Sequence, residues 1–333
     1  MTSIARLIVT SFLLAVAWGM ATEAHARCDR GERVIRLGIS QQANSPARER
    51  AVTSLRSAIN LEMQGRACME VIIDDGQFTA GLAVAALQAG SIEMALPSYT
   101  ELGEFAPDFQ IFDLPFAFRN LRAVQRFSAL VGNRLTSQFE KFDVSPIGTL
   151  HGGFDQMSAK LPIYLPGDLA GLKIAKGSHP NATFIITSLD GVAQTVDDKD
   201  LAAFVKDGRI DGQIATWRSL RDTRSPMTHD GVTETNHAYR GFQLLVSKSW
   251  WDSLQLRIKG PLRQIYPRIA KQANFDIEQR QTNAKRAIIN NGAAVRGLTR
   301  RQRQAWLEKM KPAWDEFENR ELIDILKIAD QSL

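Results

Sequence analysis

"MEVIIDDGQFTAGLAVAALQAGSIEMAL", residues 69–96, sets two short apolar runs around a helical period. Met69 to Ile73 reads as a strand. Leu82, Val84, Ala85 and Leu87 follow at helical spacing, Gly90 supplies a stop, and Ile92 to Leu96 reads as another strand. A helix between two strands is the crossover that joins parallel neighbours. Upstream the pattern has already run once. Val34 to Ile39 (VIRLGI) is a first strand, and Pro46, after Asn44-Ser45, opens a helix at its first position. Ala51, Leu55, Ile59 and Leu61 carry that helix to Gly65. Strand, helix, strand, helix, strand predicts a parallel sheet with crossover helices.

The pattern restarts further on. Leu172 to Ala175 and Ile210 to Ile214 are short apolar strands, with helices at about 179–190 and 199–207. Gly152-Gly153 lies between the two runs and reads as a crossover. A β-branched region, Val232 to Val246, precedes helices at about 254–291 and 299–328. The last of these opens with the capping box Thr299-x-x-Gln302. A chain of 333 residues exceeds what one core usually serves, so two α/β lobes with a cleft between them are expected.

At 44% hydrophobic and 23% charged, the composition excludes disordered and membrane-embedded classes. The start is different. Arg6, the run Leu7 to Met20 and Ala24-His25-Ala26 describe a secretory signal peptide over residues 1–26. The run is shorter than the roughly 18 residues of a spanning helix, so an exported, periplasmic protein is expected. Arg27 beside Cys28 argues against lipid attachment there. The net charge of +5 is scattered, densest at Arg296, Arg300, Arg301 and Arg303. A solvated basic face explains it, and no nucleic-acid partner is expected. Two cysteines in an oxidising compartment are a candidate disulfide. Cys28 precedes the first strand and Cys68 the second, and adjacent parallel strands would bring them together at one sheet edge.

The motifs of catalysis are missing. There is no G-x-S-x-G, H-E-x-x-H, G-x-x-x-x-G-K-[ST] or C-x-x-C, and the five histidines have no metal-ligand spacing. Asp74-Asp75 and Asp197-Asp198 read as solvated turn formers. No enzyme activity, cofactor or metal is expected. One acid stands out. In HGGFDQM, residues 151–157, Asp155 follows Phe154 in a buried-looking stretch, where a carboxylate needs a partner or must wait for one.

Several stretches together resemble the solute-binding proteins of tripartite ATP-independent periplasmic (TRAP) transporters, commonly labelled C4-dicarboxylate-binding. The most specific is Pro107-Asp108-x-x-x-Phe112-Asp113-Leu114-Pro115-Phe116-x-Phe118. Leu87-Gln88-x-Gly90-x-x-Glu93-Met94, Asp168-Leu169-x-Gly171-Leu172-Lys173-Ile174 and Gly208-x-x-Asp211-Gly212-Gln213 follow the same order. So do Asn236-His237, Trp251-Asp252-Ser253-Leu254 and Trp306…Lys311-Pro312-x-Trp314-x-x-Phe317. The resemblance covers nearly the whole chain after residue 26. It implies a periplasmic-binding-protein clamshell, each lobe a mainly parallel sheet flanked by helices, with a long helix shared by both. Lobe I would comprise residues 27–152 plus about 241–280, and lobe II residues 153–240 plus about 281–333. Hinges are expected near Gly152-Gly153 and around 236–242. The partners it implies are a small-molecule solute and TRAP membrane permease subunits, with the receptor itself a monomer. Its runners-up are an exported ligand-binding subunit of a sensor or regulatory complex, then a secreted hydrolase.

The departures bear on the ligand. In the family an arginine follows G-L-K-I and forks a ligand carboxylate; here Ala175 stands there, then Lys176. A second arginine follows the Gly-Phe dipeptide; here it is Asp155. An asparagine stands two residues after D-G-Q; here it is Ala215. Ser98, Tyr99 and Glu101 occupy other ligand-contacting positions, and Ser40, Gln42, Ser178 and Trp217 complete the implied binding set. Asp155 is expected to wait for a ligand partner, which favours a cationic, zwitterionic or neutral solute over a simple carboxylate. The alternative is that Asp155 pairs within the protein, with Lys176 or Arg218 for example, and leaves the cleft neutral.

Overall fold

The computed structural model describes residues 28–40, 46–74, 78, 80–176, 181–225 and 229–330, so the expected signal peptide lies outside the described residues. The first run holds β1 (Arg33–Ser40), α1 (Pro46–Glu62), β2 (Ala67–Asp74), α2 (Ala80–Gln88), β3 (Met94–Ala95) and α3 (Tyr99–Leu102). A 3-10 segment, Pro107–Asp113, leads to α4 (Leu121–Ser137) and then to β4 (Val144–Ala159). The second run holds β5 (Lys173–Lys176), α5 (Ala182–Ser188), β6 (Val192–Gln194), α6 (Asp198–Lys206), β7 (Gly212–Thr216) and α7 (Trp217–Asp222). β8 (Gly231–Ser247) returns through the middle. After it come α8 (Lys248–Ser253), α9 (Leu256–Asn290), β9 (Ala294–Gly297), α10 (Arg300–Lys309), α11 (Lys311–Glu316) and α12 (Arg320–Ala329).

The strands form one continuous sheet in the order β2-β1-β3-β8-β4-β7-β5-β6, with β9 on β8. β2-β1-β3 at one end and β7-β5-β6 at the other are parallel, as the crossover helices require. Between them β4 and β8 run antiparallel from Val144 beside Ser247 to Ala159 beside Gly231. Each strand of this pair therefore serves both ends of the sheet.

The sequence pattern places β1, β2, β3, β5 and β7, and its β-branched region Val232 to Val246 is β8, but it does not single out β4 or the short edge strand β6. Gly152-Gly153, expected as a crossover between two sheets, lies inside β4. The strand tolerates its glycines and Pro146 because pairing with β8 slips at three places: 146/148, 151/153 and 155/157. Such bulges bend a strand and sharpen its twist. β3 is cut to two residues because Pro97 follows, and Pro97 accepts from the Gln243 amide at 3.0 Å instead of donating. The helix expected over 299–328 is three helices, broken at Lys311-Pro312 and recapped at Asn319, whose side chain accepts from the Leu322 amide. α4, capped by Asn120, is an element the pattern did not single out.

Two aromatic-rich clusters explain the Phe112-to-Phe118 motif. Phe109, Phe112, Phe118, Phe127 and Phe139 pack with Tyr99 and Tyr239 under α4 and α12. Phe116 turns the other way, onto Trp306 of α10 with ring centres 5.5 Å apart. Its φ of +63° is held by a hydrogen bond that the Phe116 amide donates to the His237 carbonyl at 2.8 Å. α9, 35 residues and about 52 Å long, is the long helix the resemblance implied. Its apolar face packs against the α1 side through Leu262 and Ile265, and against the α7 side through Ala284 and Ile288.

Cys28 and Cys68 are disulfide-bonded, with Cα atoms 5.5 Å apart. Cys68 lies within β2, opposite Val34 of β1. Closing a separation of 40 residues is worth about 4 kcal/mol on the chain-entropy model. Cys28→Ser is expected to lower the unfolding free energy in urea by about that amount. An unchanged midpoint would show that the crosslink contributes no stability.

Candidate ligand-binding site

The middle of the β4–β8 ladder is where the two ends of the sheet meet. β7 joins β4 only from Asp155 onward, so β4 before that point would carry unpaired backbone groups along one edge. Helix α9 satisfies them with side chains. Asn274 accepts from the His151 amide at 2.8 Å and donates to the Thr149 carbonyl at 2.9 Å. Gln281 donates to the Gly152 carbonyl at 3.2 Å and accepts from the Arg218 amide at 3.1 Å, tying β4 to the start of α7. Gly153 has φ of +96°, and a Cβ there would come within 2.7 Å of the Gln281 amide nitrogen. The glycine is thus required twice, by backbone angle and by space.

Asp155 sits at this crossing, fully buried, and it has a partner. Arg240 on β8 donates from Nε to Oδ1 at 2.8 Å and from Nη2 to Oδ2 at 2.9 Å. The expectation that Asp155 stands waiting for a ligand is therefore corrected. The alternative of internal pairing holds, though with a cation not named among its examples; Arg218 is engaged by Asp222 at 3.1 Å. A forked guanidinium–carboxylate pair is the strongest geometry two such side chains offer. Both carboxylate oxygens are occupied, so the charge of Asp155 is neutralised where it sits. Arg240, the one Lys/Arg side chain of β8, was the available signal for this pair.

Four of the sequence-predicted positions gather where β1 and β3 end. Ser98 caps α3: it accepts from the Glu101 amide at 3.2 Å, while Glu101 accepts from the Ser98 amide and hydroxyl at 2.7 Å each. Glu101 is thus engaged in a capping box. Tyr99 packs between Phe109 and Phe112, and burial raises its phenol pKa. Ser40 closes β1, buried, and its carbonyl accepts from Arg48 of α1. Arg48 lies over the Phe242 ring at 5.6 Å, and Phe242 is bridged to Ser98. Arg48 was not among the expected residues.

The remaining positions go elsewhere. Ala175 packs with Leu201 and Ile210, and Ala215 with Leu220, Ala284 and Ile288, so both are hydrophobic packing positions. Trp217 faces α9, where Lys285 lies 5.2 Å from its ring. Among the described residues it is the one expected position that lines a cavity of about 340 Å³ between β4, β8, α9 and the start of α4. Gln42 and Ser178 lie outside the described residues.

Two measurements follow from these contacts. Asp155→Ala would take the forked carboxylate away from the Arg240 guanidinium and is expected to cost about 3–5 kcal/mol of stability. Asp155→Leu with Arg240→Met is expected to recover most of the loss in urea unfolding; a double variant as unstable as the single one would refute the pair as the cause. Asp113 accepts from Thr100 Oγ at 2.5 Å, and burial around its carboxyl pushes the pKa up to about 7 despite that bond. A folded value above the unfolded one makes the group's contribution complete at low pH and lost as pH rises through 7. The stability advantage of Asp113→Asn over wild type should therefore widen from pH 5 to pH 8. A constant difference would contradict it.

Residues 37–321 match the family described as bacterial extracellular solute-binding protein, family 7 (DctP). The chain is 30% identical over 323 residues to the C4-dicarboxylate-binding periplasmic protein DctP of Vibrio cholerae serotype O1, covering 97% of this chain and 96% of that one. Its fold is similar to a TRAP periplasmic solute-binding protein from Shewanella oneidensis solved with bound succinate (TM-score 0.73, 21% identity, 90% and 99% covered). It is also similar to one from Chromohalobacter salexigens solved with bound D-glucuronate (TM-score 0.71, 19% identity, 90% and 100% covered). Among the described residues no helix is long and apolar enough to cross a membrane. With the two-lobe fold, the crossing strands and a match over nearly its whole length, the chain belongs to the DctP family of TRAP solute receptors.

Proposed function

We propose that this receptor captures a small organic acid outside the cytoplasmic membrane and delivers it to the permease subunits of a TRAP transporter. The expectation of a non-acidic solute is given up. It rested on an unpaired Asp155, and the relatives solved with succinate and D-glucuronate run against it. The observation that carries the acid reading is the Asp155–Arg240 fork. It takes out of play the acid that stands where the family carries arginine. Glu101 is held by its capping box, so neither carboxylate is left to repel a ligand acid at full strength.

Binding is by closure. Lobe I, residues 27–152 with about 241–280, and lobe II, residues 153–240 with about 281–333, would turn about the slipped pairs at 151/153 and 155/157. A ligand closes them only by binding the closed form better than the open one.

The test is a panel of mono- and dicarboxylates, sugar acids, amines and polyols against the purified protein, read by thermal unfolding and calorimetry. A ligand at a thousand times its Kd stabilises by about 4 kcal/mol, a shift easily resolved. Acids are expected to be the ligands that raise the unfolding temperature. Stabilisation by amines or polyols alone would overturn the reading.

A further inference from the structure

Two neighbouring polar side chains at the end of β1 are buried with hydrogen-bonding atoms that find no partner among the described residues. Arg48 is 2% exposed and so is Ser40. Arg48 Nη2 donates to the Ser40 carbonyl, yet Arg48 Nε, Arg48 Nη1 and Ser40 Oγ have no partner. Among the described residues no carboxylate forms an ion pair with Arg48; Glu101 and Glu49 act on it only through their field, against the burial that lowers its pKa. Helix stability does not explain the residue. A cation in the first turn of α1 faces the positive end of the helix dipole, which costs rather than gains.

We propose that Arg48 and Ser40 form the subsite for a ligand carboxylate, in place of the arginines that the family carries at the positions of Asp155 and Ala175. Resting on the organic-acid reading above, this moves the anion from the crossing strand and second run to the first helix. The donor inventory fits. Nη2 carries two protons, and the Ser40 carbonyl takes one. The other completes a two-pronged fork with either Nε–H or Nη1–H, so a carboxylate can bind through both oxygens. Ser40 Oγ–H is a further donor beside it. The unsatisfied Arg48 nitrogens are donors only and the Ser40 hydroxyl can donate beside them, which suits an acceptor-only ligand group. A buried guanidinium with two nitrogens lacking acceptors is costly, and a ligand that removes that cost gains affinity. The Phe242 ring under Arg48 restricts its plane. Phe242 also touches the backbone of the crossing: its ring would lie 3.1 Å from a Cβ at Gly152, with Arg240 Cβ at 2.7 Å. The subsite thus adjoins the strand pair about which the lobes turn.

The experiment is calorimetry with succinate, D-glucuronate and other carboxylates on wild type, Arg48→Met, Arg48→Lys and Ser40→Ala, with succinamide as the uncharged comparator. For an acid that wild type binds, Arg48→Met is expected to lose about thirtyfold or more in affinity. Arg48→Lys, which keeps a charge without a fork, should lose less, and Ser40→Ala about fivefold. Succinamide should bind weakly and equally to all four. Ligand-free Arg48→Met loses the bond to the Ser40 carbonyl and the contact with Phe242 but relieves a buried, under-satisfied guanidinium, so its unfolding temperature should stay close to that of wild type. Acid affinity within threefold of wild type in Arg48→Met overturns the subsite and leaves the organic-acid reading standing. If that variant does not fold, Arg48→Lys and Ser40→Ala carry the test, and affinities within twofold of wild type in both overturn the subsite. A wild type that binds only non-acidic solutes overturns the organic-acid reading and the subsite together.

Discussion

The antiparallel pairing of β4 with β8 is the constraint from which the other contacts follow. Every other strand reaches the opposite end of the sheet only through these two. A pair of straight, regular strands would hold the two ends rigid, because a ladder of backbone hydrogen bonds resists bending. Here the ladder is interrupted near its middle, where Gly152, Gly153 and Asn236 depart from regular strand geometry. The interruption leaves backbone groups without strand partners, and α9 supplies replacements from Asn274 and Gln281. The long helix is therefore part of the hinge chemistry as well as a packing element. Its Lys285 adds an ion pair to Glu234 of β8 at 2.7 Å.

Electrostatics at the crossing divides two buried arginines into different roles. Arg240 is matched oxygen for nitrogen by Asp155, a pair whose net worth over an apolar substitute is small but whose disruption is costly. Arg48 has a carbonyl and an aromatic face but no carboxylate in contact. Arginine at one place and acid at another cannot be judged from a single position in the chain. An aspartate where relatives carry arginine looks like a reversal of ligand charge until the cation across the ladder is seen.

What was legible in the sequence was whatever depends on short range. Residues 33–95 and 173–216 carry strands and helices whose periods are local, and β1, β2, β3, β5 and β7 were placed to within two residues at their starts, while the three-residue β6 is too short to show a period. The capping box at Thr299 and Gln302 was likewise readable, because its partners are three residues apart. β4 was not legible: Val144 to Ala159 holds Pro146, three glycines and polar residues in a composition that otherwise marks turns. The Asp155–Arg240 fork joins residues 85 apart in sequence, so no window could contain it. Arg48, in the run Ala47-Arg48-Glu49-Arg50, resembles a solvated helix start, and only burial separates it from its neighbours.

The order of the strands also governs how the chain can assemble. β3 pairs with Val246 and Leu245, so the first end of the sheet stays incomplete until a strand about 150 residues further along is available. Early-made segments must wait with an open strand edge, a state prone to intermediates and to pairing with the wrong neighbour. Folding should accordingly be slow and governed by the arrival of β8. For a family whose members act outside the cytoplasm, that delay has a use. A polypeptide that cannot close its sheet until β8 is available stays short of its native structure for that time, the condition that export ahead of folding would require.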